Sequence, residues 1–356
     1  MRKQSYEFLK QLLTTPSPSG SEGPGQKVWC DYVRQYADEV RTDSYGNAVA
    51  VLNPEGDPKI MIDGHADEIG LMVSHIDDKG FIYFQRIGGV DPALVSAKRV
   101  NIHNRNGIVR GVTGTTPVHL QERGKDRKVP KMHEIFIDIG AADGDAARKK
   151  VDIGDAVTFV DDFEMLNDNI GVARGFDNRA GTWVAAEVLR LAKTGKTKPK
   201  CAIYACSSVQ EEVGLVGAAM QVFNLSPDAA VVVDVTPATD TPGIEVKQHG
   251  ECKMSEGPVL TIGRENHPVL TERIRKIAKR KRIKIQTSAF SLSGGTDALA
   301  IFKAQGGVPS AVLSIPNRYT HSTIEMIDLR DMERAASLTA AFVTDLKKSE
   351  RFEVKV

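Results

Sequence analysis

The sequence predicts an α/β fold, with a mostly parallel sheet covered by helices on both faces and a small β-rich module inserted into it. Two patterns carry that reading. After residue 175, helical and strand-like runs alternate at 179–192, 201–208, 216–223, 229–234, 270–280, 283–287, 297–303, 310–315 and 328–348. Alternation of this kind puts a crossover helix between parallel strands. From about residue 71 to 165, short runs at 81–84, 99–103, 134–139 and 156–159 are separated instead by Gly- and Asp-bearing turns, with no long helical pattern. That region reads as a β-rich insert, a small barrel.

The N-terminal elements complete the layout. Tyr6, Leu9, Leu12 and Leu13 share one helical face until Pro16 and Pro18 stop the helix. After the 20–25 loop, Val28, Trp29, Tyr32, Val33, Tyr36 and Val40 recur at helical spacing and predict a second helix. Strand-like runs at 48–52 and 59–62 follow, joined by the turn at 53–57. Their simplest place is in the same sheet. One α/β unit then comprises residues 1–70 and 166–356, interrupted by the insert at 71–165. No internal repeat or low-complexity tract is present.

Composition narrows the function classes. The chain has 356 residues, 41% hydrophobic and 26% charged, with 47 Lys+Arg against 46 Asp+Glu for a net charge of +1. This is the composition of a folded protein. It lacks the basic surplus with which nucleic-acid binders neutralise phosphates, so no nucleic-acid partner is expected. The N-terminus has no uninterrupted apolar h-region, and no stretch nears the roughly 18 apolar residues of a membrane span. A soluble cytoplasmic protein with no membrane partner is the expectation. Cys30, Cys201, Cys206 and Cys252 are scattered without a CxxC pair, which predicts buried thiols rather than disulfides or a cysteine zinc site. No GxGxxG or GxxxxGK[ST] follows a strand, so nucleotide binding is not expected.

Open α/β sheets bind ligands at the carboxyl ends of their strands. Polar residues that terminate apolar runs are therefore the ones to weigh: His65, Asp67 and Glu68 in KIMIDGHADE, Asp177 in GFDNRAG, Glu211 and Glu212 in AIYACSSVQEEVG, Asp234 in AAVVVDVTP, and His321 in SAVLSIPNRYTHS. Taken singly, each is an ordinary cap or turn residue. Together, two histidines and several carboxylates suit zinc, cobalt or manganese and suffice for two ions. Asp177 has two oxygens and can bridge; His65 and Asp234 can complete one ion's ligands, and Glu212 and His321 the other's. Glu211 is then left as general base, and Asp67 as the partner of the other His65 ring nitrogen.

GHADEIG, GFDNRAG, QEEVGLVGA, VDVTPATDTPG, SLSGGTDALA and SIPNRYTHSTIEMIDLRD together resemble the tetrahedral, glutamyl-type aminopeptidase family of dinuclear metallopeptidases, in family order from PSPSGSEG to near the C-terminus. The resemblance implies a phosphorylase/hydrolase-like three-layer α/β/α catalytic domain with an inserted PDZ-like β-barrel for dimerisation. It implies two divalent metal ions per subunit, zinc or cobalt with manganese as a third candidate. One is held by His65, Asp177 and Asp234 and the other by Asp177, Glu212 and His321, with Glu211 as the base. It also implies peptide substrates and a dimer-based homo-oligomer, commonly a tetrahedral dodecamer.

The remaining features carry less. His75, His103, His133, His249 and His267 read as surface or packing residues, and His119 stays unassigned. The SLSGGTD stretch at 291–297 is either a Gly turn capped by Thr296 or Asp297, or a wall of the substrate pocket. A two-carboxylate, endoglucanase-like glycoside hydrolase using Glu211 and Asp234 is the alternative enzyme. It leaves both histidines without a role in a chain that is 6% aromatic, with Trp29 and Trp183 in predicted helices. Arg174, Arg179 and Arg318 are either recognition groups for an acidic first residue or buried salt-bridge partners.

Overall fold

The structure is a computed structural model that describes residues 1–120, 128–292 and 294–356. Its strands form a large mixed sheet and a closed barrel. At the centre of the large sheet, the strands Ala202–Ser208, Lys59–His65, Ala229–Pro237 and Ser310–Arg318 lie side by side and parallel. Ala48–Leu52 continues the sheet antiparallel to Ala202–Ser208, so the N-terminal strands do join it as expected.

These central strands are buried on both faces, and their side chains alternate between two cores. Ile60, Ile62, Ile203, Val231, Val233, Leu313 and Ile315 face one core with Trp29 and Trp183. Met61, Tyr204, Val232 and Val312 face the other with Ala218, Val222 and Ile301. Helices Lys3–Thr14, Gly23–Val33, Phe176–Thr194, Pro268–Lys281 and Leu329–Asp345 cover the first face, and Val216–Leu225 and Ala298–Ile301 the second. The result is the α/β/α sandwich that the alternating pattern predicts.

The barrel is closed by Gly70–Ile76, Ile82–Ile87, Phe136–Asp138, Gly107–Gly114, Arg99–Asn104 and Ala156–Phe159 around its own apolar core of Leu71, Ile82, Val100, Ile102, Ile137 and Val157. Glu164–Met165 already pairs within the large sheet. All four cysteines are free and buried. Among the described residues, no helix is long and apolar enough to cross a membrane.

One predicted element ends early. The second helix stops at Val33, and Val40 lies instead in the strand Glu39–Thr42, opposite Ala50. Amides of Tyr36 and Ala37 both turn back to the Val33 carbonyl, and the Tyr36 hydroxyl accepts from Arg2. The chain therefore turns at Tyr36 into a sheet edge, and the helical spacing of Val40 is coincidental.

Candidate active site

The four central parallel strands all deliver polar residues at their carboxyl ends. His65 ends its strand in register with Ser208, and the chain beyond Ser208 turns through Glu211 and Glu212. Asp234 sits on the next strand opposite Ser314, and His321 follows Ser310–Arg318 in a left-handed conformation with φ 59°. Asp177 comes from the start of the Phe176–Thr194 helix, where Asp177 and Asn178 depart from helical geometry. The Asn178 side-chain Nδ2 donates to the Val233 carbonyl at 2.8 Å, which ties this segment to the strand that carries Asp234.

These residues converge. His65 Nε2 lies 3.2 Å from Asp177 Oδ1, 3.7 Å from Glu211 Oε2 and 3.8 Å from Asp234 Oδ1. His321 Nε2 lies 3.4 Å from Asp177 Oδ2 and 3.6 Å from Glu212 Oε2. The Asp177 carboxylate thus turns one oxygen to each histidine. Ligand-capable atoms of His65, Asp177 and Glu212 fall within 4.8 Å of one another, as do those of His65, Glu211 and Asp234. Glu211 therefore approaches one side of the cluster as closely as a ligand would.

Asp67 is fully buried beneath the cluster and contacts several of its members. It accepts from the Ser19 hydroxyl at 2.6 Å and from the backbone amides of Glu211 and Glu212 at 3.0 and 3.1 Å. Its Oδ1 lies 3.3 Å from His65 Nδ1. Its carboxylate thus contacts both the Glu-Glu turn and the His65 ring nitrogen. Glu68 lies elsewhere, in a buried ion group with Arg174 and Arg179 at 3.3 and 2.6 Å. Burial opposes its ionisation, but Arg174 and then Arg179 hold its pKa down to about 2. Arg318 pairs with Asp240 at 2.8 Å. All three arginines are thus engaged in ion pairs, and none lines the cavity described below.

The electrostatics report an excess of negative charge. Burial, reinforced by Asp234, Glu212 and Asp177, pushes Glu211 up to about 9. Burial and Asp177 push Glu212 up to about 8 and Asp234 up to about 7. His321 rises to about 9 chiefly through its hydrogen bond with Asp177. Burial opposes protonation of His65, but Glu211, Asp177 and Asp67 outweigh it and raise its pKa well above the usual value. Asp177 is held below the usual carboxylate range by His321 and His65 despite its burial. Crowded carboxylates with two imidazoles form a mixed nitrogen and oxygen donor set, which fits divalent cations of the zinc and cobalt type.

A cavity of about 520 Å³ opens over the cluster. Its lining includes His65, Asp177, Glu211, Asp234, Glu265, Phe290, Gly294, Gly295, Thr296, Val312 and His321. The 291–297 stretch therefore does contribute a wall; its residue Ser293 lies outside the described residues. The capping expectation for Asp297 fails, because its side chain makes no cap bond to the helix. It is instead buried within electrostatic range of Asp63, Glu211, His65 and Asp234. His75, His103, His119, His133, His249 and His267 all lie outside the cavity lining.

Several functional neighbours were not legible from sequence. Glu325, 2% exposed, accepts from the Asp177 amide at 2.8 Å and the His321 amide at 3.2 Å. It therefore fixes the backbone of both residues. Gly89, from the barrel side, packs so closely on His321 that a Cβ there would overlap the imidazole Nδ1. The GG pair after the run at 81–84 was the available sequence signal.

A family model described as M42 glutamyl aminopeptidase matches residues 46–338. The lysyl aminopeptidase of Pyrococcus furiosus is 33% identical over 346 residues, covering 96% of this chain and 97% of the relative. The TET aminopeptidase from a marine sediment Thaumarchaeota archaeon superposes with a TM-score of 0.92 at 32% identity, covering 96% of each chain. The Pyrococcus horikoshii TET1 peptidase, which can assemble into a tetrahedron or a large octahedral shell, gives 0.85 at 29% identity over 96% of this chain and 100% of its own. A Thermotoga maritima protein described as an endoglucanase is less similar in fold, at 0.76 with 30% identity over 94% of this chain and 96% of its own. The matched span of the family model contains the whole cluster from His65 to His321, and the chain belongs to the M42 family of glutamyl aminopeptidases, which are metal-dependent peptidases.

Proposed function

We propose that the chain removes N-terminal residues from peptides using two divalent cations, with Glu211 as general base. The observation that carries this reading is the Asp177 carboxylate, which faces His65 with one oxygen and His321 with the other. His65, Asp177 and Asp234 would hold one cation, and Asp177, Glu212 and His321 the other. Zinc or cobalt suits these donors best, and manganese is the third candidate. When bound, the cations acidify a water and polarise the scissile carbonyl.

Glu211 lines the cavity beside Asp234 and His65. In this role it takes the proton of the attacking water and delivers it to the leaving amine. Asp67 orients it through its amide, and Glu325 does the same for Asp177 and His321.

The proximity of Glu211 to His65 and Asp234 favours a second role for it, as a ligand. One variant separates the two. Glu211→Gln is expected to keep both metals and lose hydrolysis of aminoacyl anilides by at least about a hundredfold, in line with general-base contributions. Loss of a metal with the activity would make Glu211 a ligand, and near-full activity would remove it from the mechanism. Chelation should abolish hydrolysis, and cobalt or zinc should restore it.

Glycoside hydrolysis receives little support from the cavity, because among the described residues its lining includes Phe290 but neither Trp nor Tyr. Trp29 and Trp183 are both in the core. We assign the barrel region, 71–165, to subunit contact in a cytoplasmic homo-oligomer, either a dimer or a tetrahedral dodecamer. Exposed Ile108 and Val112 on its Gly107–Gly114 strand support that assignment. Solution mass measurement tests it: a monomer would exclude it.

A further inference from the structure

We propose that Glu265 selects a basic first residue, Lys or Arg, in the peptides this site takes; the proposal rests on the aminopeptidase reading. Glu265 follows the strand Val259–Gly263 and lines the same cavity as His65, Asp177, Glu211 and His321. It is only 5% exposed. Its Oε1 accepts from the Gly294 amide at 3.2 Å, while among the described residues its buried Oε2 has no hydrogen-bond partner. Among the described residues no Lys or Arg is paired with it, and none lines the cavity.

An unpartnered buried carboxylate oxygen is unfavourable unless a donor arrives from outside. The carboxylates of the cluster have the two histidines and the proposed cations to offset them. Glu265 has neither. An ammonium or guanidinium entering the cavity supplies both the charge and the missing hydrogen bond. The walls suit the rest of such a side chain, since Val312 and Phe290 line the same cavity and can cover the methylene stem of Lys or Arg.

Other first residues fit less well. An acidic side chain would meet Glu265 with like charge, and the arginines able to receive it are held by Glu68 and Asp240. An apolar one fills the space but leaves Glu265 Oε2 unpartnered.

The test compares the metal-loaded, full-length protein with its Glu265→Gln variant. For the wild type, kcat/KM for lysyl and arginyl anilides should exceed that for leucyl and glutamyl anilides by at least tenfold. In the variant the lysyl-to-leucyl ratio should fall at least tenfold, mainly through KM for the lysyl substrate. Calorimetric binding of free L-lysine against L-norleucine, which lacks only the ammonium, supplies a readout that needs neither turnover nor a variant. Lysine should bind at least tenfold more tightly. Preference for leucyl or glutamyl anilide, or equal binding of lysine and norleucine, overturns the proposal while leaving the peptidase reading intact. Selective lysine binding without hydrolysis of any anilide supports Glu265 as a recognition group and overturns the peptidase reading instead. A ratio unchanged in a folded Glu265→Gln variant, checked by thermal melting, also overturns the proposal.

Discussion

Substituting Asp67 tests how far the metal cluster depends on a residue that stands behind it. Asp67 accepts three hydrogen bonds, from the Ser19 hydroxyl and the Glu211 and Glu212 amides, and meets His65 Nδ1 as well. Asn has nearly the same shape but only one acceptor oxygen, so Asp67→Asn turns an NH2 toward donors that had faced a carboxylate. At least two charge-assisted interactions are lost. At about 1.5–3 kcal/mol each, that is about 3–6 kcal/mol, shared between folding and the alignment of the Glu-Glu turn. Metal affinity should fall about 10- to 100-fold, as for other groups that orient ligands. Thermal melting of the metal-free protein measures the first part, and competition with a chelator of known affinity measures the second. A variant with the melting temperature and metal affinity of the wild type would show that the turn holds itself and that Asp67 positions nothing.

Three further outcomes follow from the same geometry. Gly89→Ala, which places a methyl against His321 Nδ1, should weaken one of two cations by at least about tenfold; two-site calorimetry with both affinities unchanged would refute this. Glu68→Gln leaves the buried Arg174 and Arg179 without their carboxylate and should destabilise the protein by about 3–5 kcal/mol, read from denaturant midpoints. Because the folded-state pKa of Glu68 is depressed to about 2, its stabilisation is present above its unfolded pKa and is lost as pH falls toward 2. The variant should lack that part of the acid sensitivity. Glu211, Glu212 and Asp234 shift the other way, to about 9, 8 and 7. The stability they contribute is complete below their unfolded values near pH 4 and is lost as pH rises through 7–9. Metal-free protein should therefore melt lower at pH 9 than at pH 6, and zinc should remove most of that difference; a metal-free melting temperature that rises over this interval would contradict the shifts.

The parts of the fold legible in the sequence were those in which burial acts on a continuous run. Residues 60–62, 201–206, 229–233 and 311–313 form unbroken, buried and mainly apolar runs, so their strands and the polar residues that end them stand out. Glu39–Thr42 was hidden because it is short, mostly exposed and follows a helix whose spacing Val40 happens to continue. Glu325 was missed for a different reason. It lies in a four-residue strand, and its task is to hold the amides of Asp177 and His321, 148 and 4 residues away in sequence. Backbone contacts of that kind have no residue-type signature. The spacing of Asp67 to His65 marks it as an imidazole partner, but its hold on residues 211 and 212 depends on the register of two strands. The three arginines were ambiguous because a guanidinium looks the same in sequence whether it faces a cavity or a buried carboxylate.

The cluster is drawn from residues 65, 177, 211, 212, 234 and 321, with the whole barrel lying in the chain between the first and second of them. As the polypeptide lengthens, His65 precedes every carboxylate of the cluster, and His321 arrives only after the strand Ser310–Arg318 has been made. A nascent or broken chain that lacks that strand cannot bring the Asp177 carboxylate between two histidines. The linear order of the residues thus means that the cluster can form only in a chain that holds everything from residue 65 to residue 321.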